Sequence, residues 1–584
     1  MLPRQRRRDN RVRQKSFRGL EPFRVRIFAA FALMFLGFGV LGVRLLSVAL
    51  LPAAEPSAAY QMTATQPQAI RGKIVDARGD VLATSLKVKS LFADPYNVMD
   101  IDEVAQKLPR ALPDLSAGEI KKELSKNRRF VWLKRNLSPS EVYAVNSLGI
   151  PGLGFREEEQ RFYPQKDMAA HILGSTNYQG RGVSGVEMGA QEALASGEDA
   201  ALTVDMRLQN ALHAALKNAM TETEAKGAWG VTLDAQTADV LAMVSLPDYN
   251  ANHFGAAPKN NWLNRTTNGV YEMGSVFKLF THAMAIEHNG MTLDKLFDCT
   301  RPLEIGNFTI HDLYPRRDWL TAEEVFIHSS NIGAAQMGEM IGAEKQQDTL
   351  AQLGLFDQYD VGLGYTASTL APDPYRWGRI QTMSVSYGHG MAVTALQMAA
   401  AARATLVDGI WRQPNVLQDG FRHTPRQVFS KKTVAMMRKL AAAVVEKGTG
   451  SRAAVPGYAV GGKTGTSEKN TGGKYVRDKN LASFVGSVPL NNPRLVTFIM
   501  VDEPLGGRGG GGEVAAPAFA QFSKRAMNIL NIAPTREVPK LKALLPPLKE
   551  QHAQIKQKTY TAKKFAGKLA NTYAQVVEVQ RGVR

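Results

Sequence analysis

The 584-residue chain has a single cysteine, Cys299. A lone thiol excludes an intramolecular disulfide and disfavours a Cys-based metal site, and Cys299 reads as a small buried apolar residue. The body of the chain is short of net charge. Of the formal +19, residues 1–26 carry +8 and residues 535–584 carry another +8, leaving +3 on the 508 residues between. The basicity therefore belongs to two tails. Aromatic residues do not interleave with those basic runs, and no nucleic-acid partner is expected. A second bilayer-length hydrophobic run is also missing. The one present, Ile27–Val43 continued by Leu45–Leu51, reaches the length of about 20 residues that a membrane span needs. Arg44 falls near one end, where its side chain can snorkel to the headgroups. The run is long for a signal peptide and Ser57-Ala-Ala59 is a poor cleavage site. The arginine-rich stretch ahead of it should stay in the cytoplasm. The expectation is an uncleaved single-pass anchor in the cytoplasmic (inner) membrane, with everything after Leu51 on the extracytoplasmic, periplasmic side.

Composition and pattern divide the chain into a basic cytoplasmic tail (1–26), the anchor (27–51), an Ala/Pro/Ser/Gln-rich linker (52–69), a non-catalytic module (70–225), a larger domain (226–534) and a basic tail (535–584). In the first module Lys73–Leu82 reads as strand, turn at Arg78-Gly79 and strand, and amphipathic helices are expected over 102–111, 116–127 and 138–147. The larger domain opens with Trp229–Asp234 and Val240–Ser245, a hairpin of two half-buried strands. It continues with helices and returns to strands at 460–466, 483–488 and 495–501. That order fits an α+β fold, helices packed against an antiparallel sheet that the chain re-enters.

Three short motifs in this domain carry chemistry: Ser275-Val-Phe-Lys278, Ser329-Ser-Asn331 and Lys463-Thr464-Gly465, followed by Thr466. Each alone is weak; S-x-x-K, S-x-N and K-T-G in this order are the mark of serine enzymes that open an amide and keep the acyl group covalently. Gly274 precedes Ser275, and an apolar helical run continues to about Glu287, ended by Asn289-Gly290. Lys278 then lies one turn from Ser275 on a buried helix, and burial disfavours its charged form. A neutral amine beside a serine hydroxyl is a general base beside a nucleophile. Thr321-Ala-Glu-Glu324 is a capping-box pattern, and a second helix is expected over 332–341, with Ser329 and Asn331 at the break between the two. There they can face a cleft or cap the second helix. Val460–Thr466 reads as a glycine-rich strand that another backbone can approach closely. Lys463 and the threonine hydroxyls suit a substrate carboxylate.

A rival reading shares these residues. Gly457–Thr464 satisfies the P-loop pattern G-x-x-x-x-G-K-[ST], and Leu495–Val501 followed by Asp502-Glu503 resembles the acidic strand of an ATPase. The context rejects it, because a P-loop Lys-Thr opens a helix and Gly465-Thr-Ser-Glu-Lys-Asn-Thr-Gly-Gly will not hold one. Gly506–Gly512 has no Lys-Ser/Thr partner and reads as a flexible loop beside the site.

Taken together the chain resembles a class B penicillin-binding protein from about Ile70 to Phe522. Besides the three motifs, the resemblance rests on Arg71-Gly-Lys-Ile-Val-Asp-Ala-Arg-Gly, Arg161-Phe-Tyr-Pro164, Gly185-Val-Glu187, Leu202-Thr-Val-Asp205, Asn264-Arg265, Thr394-Ala-Leu-Gln397 and Ala482-Ser-Phe-Val-Gly486. Ala93-Asp94-Pro95 leans toward the division-type (septal) branch. Met273 and Ala238 depart from the family's usual Pro and Gly. The resemblance implies a penicillin-binding/β-lactamase-like transpeptidase domain on an elongated pedestal module behind one transmembrane helix. It implies D,D-transpeptidation of peptidoglycan stem peptides, inhibition by β-lactams, and no cofactor. It assigns Ser275 as nucleophile, Lys278 as base, Ser329 with Lys463 as the proton path to the leaving D-Ala, and Asn331 as the holder of the substrate amide. Thr464, Gly465 and Thr466 fall to the carboxylate-binding strand, and the backbone N–H groups of Ser275 and Thr466 to the oxyanion hole. A lipid-II polymerase and other division proteins are the implied partners. The alternatives are an elongation-type transpeptidase, a D,D-carboxypeptidase or a non-enzymatic division scaffold. A class A β-lactamase lacks support, because no E-x-x-L-N pattern lies between Asn331 and Lys463. A bifunctional synthase lacks it too, because residues 52–225 show no acidic glycosyltransferase pair.

Overall fold

The computed structural model describes residues 31–43 and 70–536, apart from 307, 472–473, 508 and 535. Residues 31–43 are helical, and the rest of the expected anchor, the linker and nearly all of the basic tails lie outside the described residues. Among the described residues no helix is long and apolar enough to cross a membrane. The described residues fall into two units, 31–43 and 70–536.

The second unit begins with a five-stranded sheet whose spine is the long strand β1 (Val81–Ala93). Helices α1 (Ile101–Ala111) and α2 (Ala117–Leu124) follow, each with an oxygen-bearing N-cap, Asp100 and Ser116. Ser116 and Glu119 form a capping box, each side chain bonding the other's backbone N–H. Strands β2 (Val131–Leu137) and β3 (Leu153–Phe162) pair antiparallel with β1. Leu91, Val104, Leu108, Ile120 and Leu124 close a small core at this end.

Where this sheet meets the larger domain, Glu187 is fully buried between two arginines. Arg71 Nε donates to one carboxylate oxygen at 2.8 Å and Arg161 Nε to the other at 2.6 Å. Arg71 also donates to the Glu187 carbonyl at 2.7 Å. The triad joins segments 116 and 26 residues apart in sequence. Glu187→Ala leaves two buried guanidinium groups without their counter-charge. It is expected to cost about 3 kcal/mol, read as a lower urea midpoint, and an unchanged midpoint would show that the triad is not a clamp.

Helix α3 (Met206–Glu222), N-capped by Asp205, leads into strands β4 (Gly227–Asp234) and β5 (Val240–Leu246). The helical middle comprises α4 (Lys278–Asn289), α5 (Ala322–His328), α6 (Asn331–Ile341), α7 (Ala395–Arg403) and α8 (Lys431–Lys447). The chain then re-enters the sheet with β6 (Gly461–Thr471), β7 (Lys474–Val488) and β8 (Leu495–Asp502), and α9 (Ala515–Ile529) follows. The sheet order is β6-β7-β8-β4-β5, antiparallel throughout.

The expectation of half-buried strands is corrected here. Seven of eight β4 residues and six of seven β5 residues are buried. Successive side chains point to opposite faces. Trp229, Val231 and Leu233 enter the core with α4, α7 and α8, whereas Ala228, Ile499 and Val501 enter the core with α3 and α9. Helices cover both faces, so the sheet is the middle of three layers. Strand β6 is its edge, and the chemistry collects there.

Candidate active site

Ser275 lies on a 3-10 turn, Gly274–Phe277, that runs directly into α4, so Lys278 is the first α-helical residue. The helix ends as expected at Gly290, which takes φ +61°, its N–H bonding back to the Ala285 carbonyl. Lys278 is completely buried. Its Nζ lies 2.9 Å from Ser275 Oγ, 2.6 Å from the Ser329 carbonyl, 2.7 Å from Asn331 Oδ1 and 3.2 Å from Ser329 Oγ. Asn331 Nδ2 donates to the His311 carbonyl at 2.9 Å, which fixes the amide with Oδ1 toward the lysine. Two of the four partners are thus acceptors only. A neutral amine has two N–H donors and one lone pair. In that neutral form the donors satisfy the Ser329 carbonyl and Asn331 Oδ1 and the lone pair is left for the Ser275 hydroxyl; as an ammonium the same nitrogen donates to all three oxygens. Burial pushes the Lys278 pKa well below its ordinary value, Lys463 nearby lowers it further, and Asp312 opposes.

The second motif is held by local strain. Ser329 ends α5 in the left-handed conformation, φ +61° and ψ +41°. A non-glycine residue is placed there at a cost of about 1 kcal/mol or more. The kink brings the Ser329 carbonyl and hydroxyl toward the same amine. Helix α6 then starts at Asn331. Neither Ser329 nor Asn331 caps it: the N-cap is Ser330, whose Oγ accepts from Gly333 N at 3.1 Å.

Asp312, which no sequence pattern marks, completes the cap. It accepts from Asn331 N at 2.5 Å, Ile332 N at 3.0 Å and Ser330 Oγ at 2.7 Å. A carboxylate at these orphan N–H groups is favourable and locks the motif's backbone. Cys299 is buried with Sγ 3.4 Å from Ser330 Oγ, behind the motif, and burial raises its thiol pKa.

Strand β6 presents the third motif with period 2. Lys463 is fully buried, and its Nζ donates to Ser329 Oγ at 2.9 Å. The Ser329 hydroxyl therefore bridges two amines. Burial lowers the Lys463 pKa to about 7. Ser467 on the same face bonds the Glu272 carbonyl at 2.8 Å. Between them a Cβ on Gly465 would lie 2.6 Å from Val276 Cγ2 and 2.9 Å from the Met273 carbonyl, and would collide with Ser483 Oγ. Gly465 thus lets the nucleophile's turn rest on the strand. Gly465→Ala is expected to displace that turn and slow penicillin acylation by at least about tenfold, since misplacements near 1 Å cost up to about a hundredfold. An unchanged stopped-flow rate would refute the close-approach argument.

Thr464 and Thr466 face the other way. Thr464 Oγ1 pairs with Thr449 Oγ1 at 2.6 Å, and Thr466 Oγ1 accepts from Gly511 N at 3.2 Å. The glycine-rich stretch expected as a flexible loop is packed on the sheet. A Cβ at Gly511 would collide with the Ser483 and Gly465 carbonyls. Thr449 and Gly511 are therefore part of the strand's surroundings that the motifs did not reveal. Because Lys463-Thr464 lie within a strand, the P-loop alternative has no helix to open. Among the described residues no group of three or more His, Cys, Asp or Glu side chains is arranged to hold a metal ion.

Residues 228–524 match the penicillin binding protein transpeptidase domain and residues 66–203 the penicillin-binding protein dimerisation domain. The chain is 36% identical over 532 residues to the probable peptidoglycan D,D-transpeptidase FtsI of Caulobacter vibrioides, covering 87% of this chain and 89% of the relative. It is 29% identical over 503 residues to the peptidoglycan D,D-transpeptidase FtsI of Escherichia coli K12, covering 80% and 84%. Among solved structures it is similar to penicillin binding protein 3 of Mycobacterium tuberculosis complexed with aztreonam. That match has a TM-score of 0.64 and 25% identity, and covers 81% of this chain and 99% of that one.

Proposed function

The chain belongs to the penicillin-binding protein family, with its dimerisation and transpeptidase domains in series, and from that premise we propose that it is a peptidoglycan D,D-transpeptidase of the division septum. The observation that carries the reading is the stoichiometry at Lys278 Nζ: two acceptor-only oxygens at 2.6 and 2.7 Å and the Ser275 hydroxyl at 2.9 Å. That arrangement puts the amine in contact with its nucleophile, and the burial that holds the Lys278 pKa down favours the neutral base.

In this reading Ser275 Oγ attacks the penultimate amide carbonyl of a D-Ala-D-Ala stem peptide as Lys278 takes its proton. The backbone N–H groups of Ser275 and Thr466 receive the oxyanion. The proton passes from Lys278 to the Ser329 hydroxyl and, with Lys463, on to the departing D-Ala nitrogen. Asn331 holds the donor's amide, and Thr464 and Thr466 on the edge strand, with Gly465 between them, receive its terminal carboxylate. The acyl group then moves to the amine of a second stem peptide. A β-lactam acylates the same serine and stays. The likeness to division-named relatives supports the septal role. The hydrophobic run 27–51 supports a single-pass anchor, with residues 70–225 as a pedestal below the catalytic domain, 226–534. A lipid-II polymerase is the partner this placement calls for.

The test is to incubate the full-length protein with fluorescent penicillin and map the adduct by peptide mass spectrometry. A label on the peptide containing Ser275, lost in Ser275→Ala, is the expected result. No covalent label, or one on another peptide, overturns the reading.

A further inference from the structure

Lys278, Ser329 and Lys463 form one hydrogen-bonded group at the nucleophile. A second cluster of titratable groups lies beside the turn that carries Ser275 and, among the described residues, shares no hydrogen bond with the first. Glu272 stands three residues before Ser275, on a short strand paired with Ala392. Its carboxylate accepts from the Tyr475 hydroxyl at 3.1 and 3.0 Å and from Gly390 N at 3.0 Å. His389 lies between Gly388 and Gly390, both at positive φ (+88° and +80°). Its ring centroid is 5.1 Å from that of Tyr387 and 5.8 Å from that of Tyr475. The Gly388 carbonyl accepts from Gly274 N at 3.2 Å, and a Cβ on Gly388 would strike the Gly274 carbonyl. This loop therefore rests on the residue that precedes the nucleophile.

His389 Nδ1 is buried and has no hydrogen-bond partner among the described residues. Buried polar atoms are nearly always paired, so an orphan beside a reaction centre calls for a partner that arrives with a substrate. Burial, the largest effect, lowers the His389 pKa, Glu272 raises it, Lys278 lowers it, and Glu468 and the Tyr387 backbone raise it. The ring is thus neutral near pH 7, and with its proton on Nε2 it offers Nδ1 as a lone pair. A carboxylate beside aromatic faces favours a cation.

In the reaction proposed above, the second substrate is a primary ammonium, which is not a nucleophile until it loses a proton. Resting on that reading, we propose that Glu272, Tyr475 and His389 form the acceptor subsite. The ammonium of the acceptor stem peptide docks against Glu272 and the Tyr475 ring and gives one proton to His389 Nδ1. Tyr475, 45% exposed, is the cluster member displaced as the amine enters. The freed amine attacks the Ser275 ester carbonyl, so the N–C bond forms and the C–Oγ bond breaks. The amine's second proton goes to Ser275 Oγ through Lys278, and the His389 proton leaves to solvent.

The test uses the full-length protein with a benzoyl-D-alanyl thioester as donor and D-alanine as acceptor. The ratio of amide to hydrolysis product from the same acyl-enzyme is followed from roughly pH 6 to 9. His389→Gln is expected to lower that ratio about tenfold near pH 7 at saturating D-alanine and to steepen its rise with pH, because the ammonium must then lose its proton to solution. Glu272→Gln is expected to raise the KM for D-alanine more than it lowers the limiting rate. If His389→Gln loses both products equally, with the ratio and pH profile unmoved, His389 is structural and the inference falls. An unmoved KM in Glu272→Gln overturns it as well. A wild-type protein that forms no acyl-enzyme with either the thioester or penicillin removes the transpeptidase reading itself, a failure distinct from an unaltered ratio.

Discussion

Lys278→Met is expected to slow acylation of Ser275 by penicillin by about a thousandfold or more while the protein stays folded. Among the described residues the amine is the group hydrogen-bonded to the serine hydroxyl and placed to take its proton, at 2.9 Å. Its environment decides its protonation state before substrate arrives. Burial holds the pKa down, and the acceptor-only oxygens of Ser329 and Asn331 consume two N–H donors and leave a lone pair for the nucleophile. Methionine keeps the length and apolar stem of the side chain at a fully buried position whose sequence neighbours Val276, Phe277 and Phe280 are buried too. It strands two acceptors, at about 1–3 kcal/mol each, and removes the desolvation of an amine, which offsets that cost. The measurement is a stopped-flow acylation rate beside a melting temperature. Lys278→Arg should not rescue the rate, because a guanidinium stays protonated and has no lone pair to offer. A methionine variant that acylates within about tenfold of wild type would assign the proton to another base.

The motifs made this site legible because each rests on local geometry. S-x-x-K places two groups one turn apart, and K-T-G needs only a strand beside a close backbone. The capping box at Thr321 and Glu324 and the glycine stop at Gly290 were readable for the same reason. What the sequence hid was non-local. Asp312 serves the second motif from 18 to 20 residues upstream, through a loop with no periodicity. Thr449 meets Thr464 across 15 residues and Gly511 meets Thr466 across 45. The glycines at 506–512 looked like a flexible loop because composition does not distinguish glycine chosen for freedom from glycine chosen for closeness. The hairpin 229–245 reads as half-buried for a related reason: β4 and β5 alternate between two apolar faces, and only the packing of helices on both sides shows that neither faces water.

Lys463→Met is expected to make the protein more stable near pH 7 while lowering acylation about a hundredfold. Burial takes the Lys463 pKa from its ordinary 10.5 to about 7. At pH values between those two the unfolded chain binds the proton and the folded chain releases it. The unfolded state then holds more protons, so stability rises with pH across this window and the lysine's penalty is largest at its lower end. At about 1.4 kcal/mol per pH unit the ceiling on that penalty is roughly 5 kcal/mol. Methionine carries none of it. Urea midpoints should favour the variant most near pH 7, with the advantage shrinking as pH approaches 10.5. A constant difference would mean that Lys463 keeps an ordinary proton affinity in the fold. The same substitution reports on the base. Lys463 lowers the Lys278 pKa by charge, so removing it must raise that pKa and move the residual acylation profile to higher pH. A profile that moves to lower pH, or not at all, would place the two amines in separate proton circuits rather than on the two sides of one serine hydroxyl.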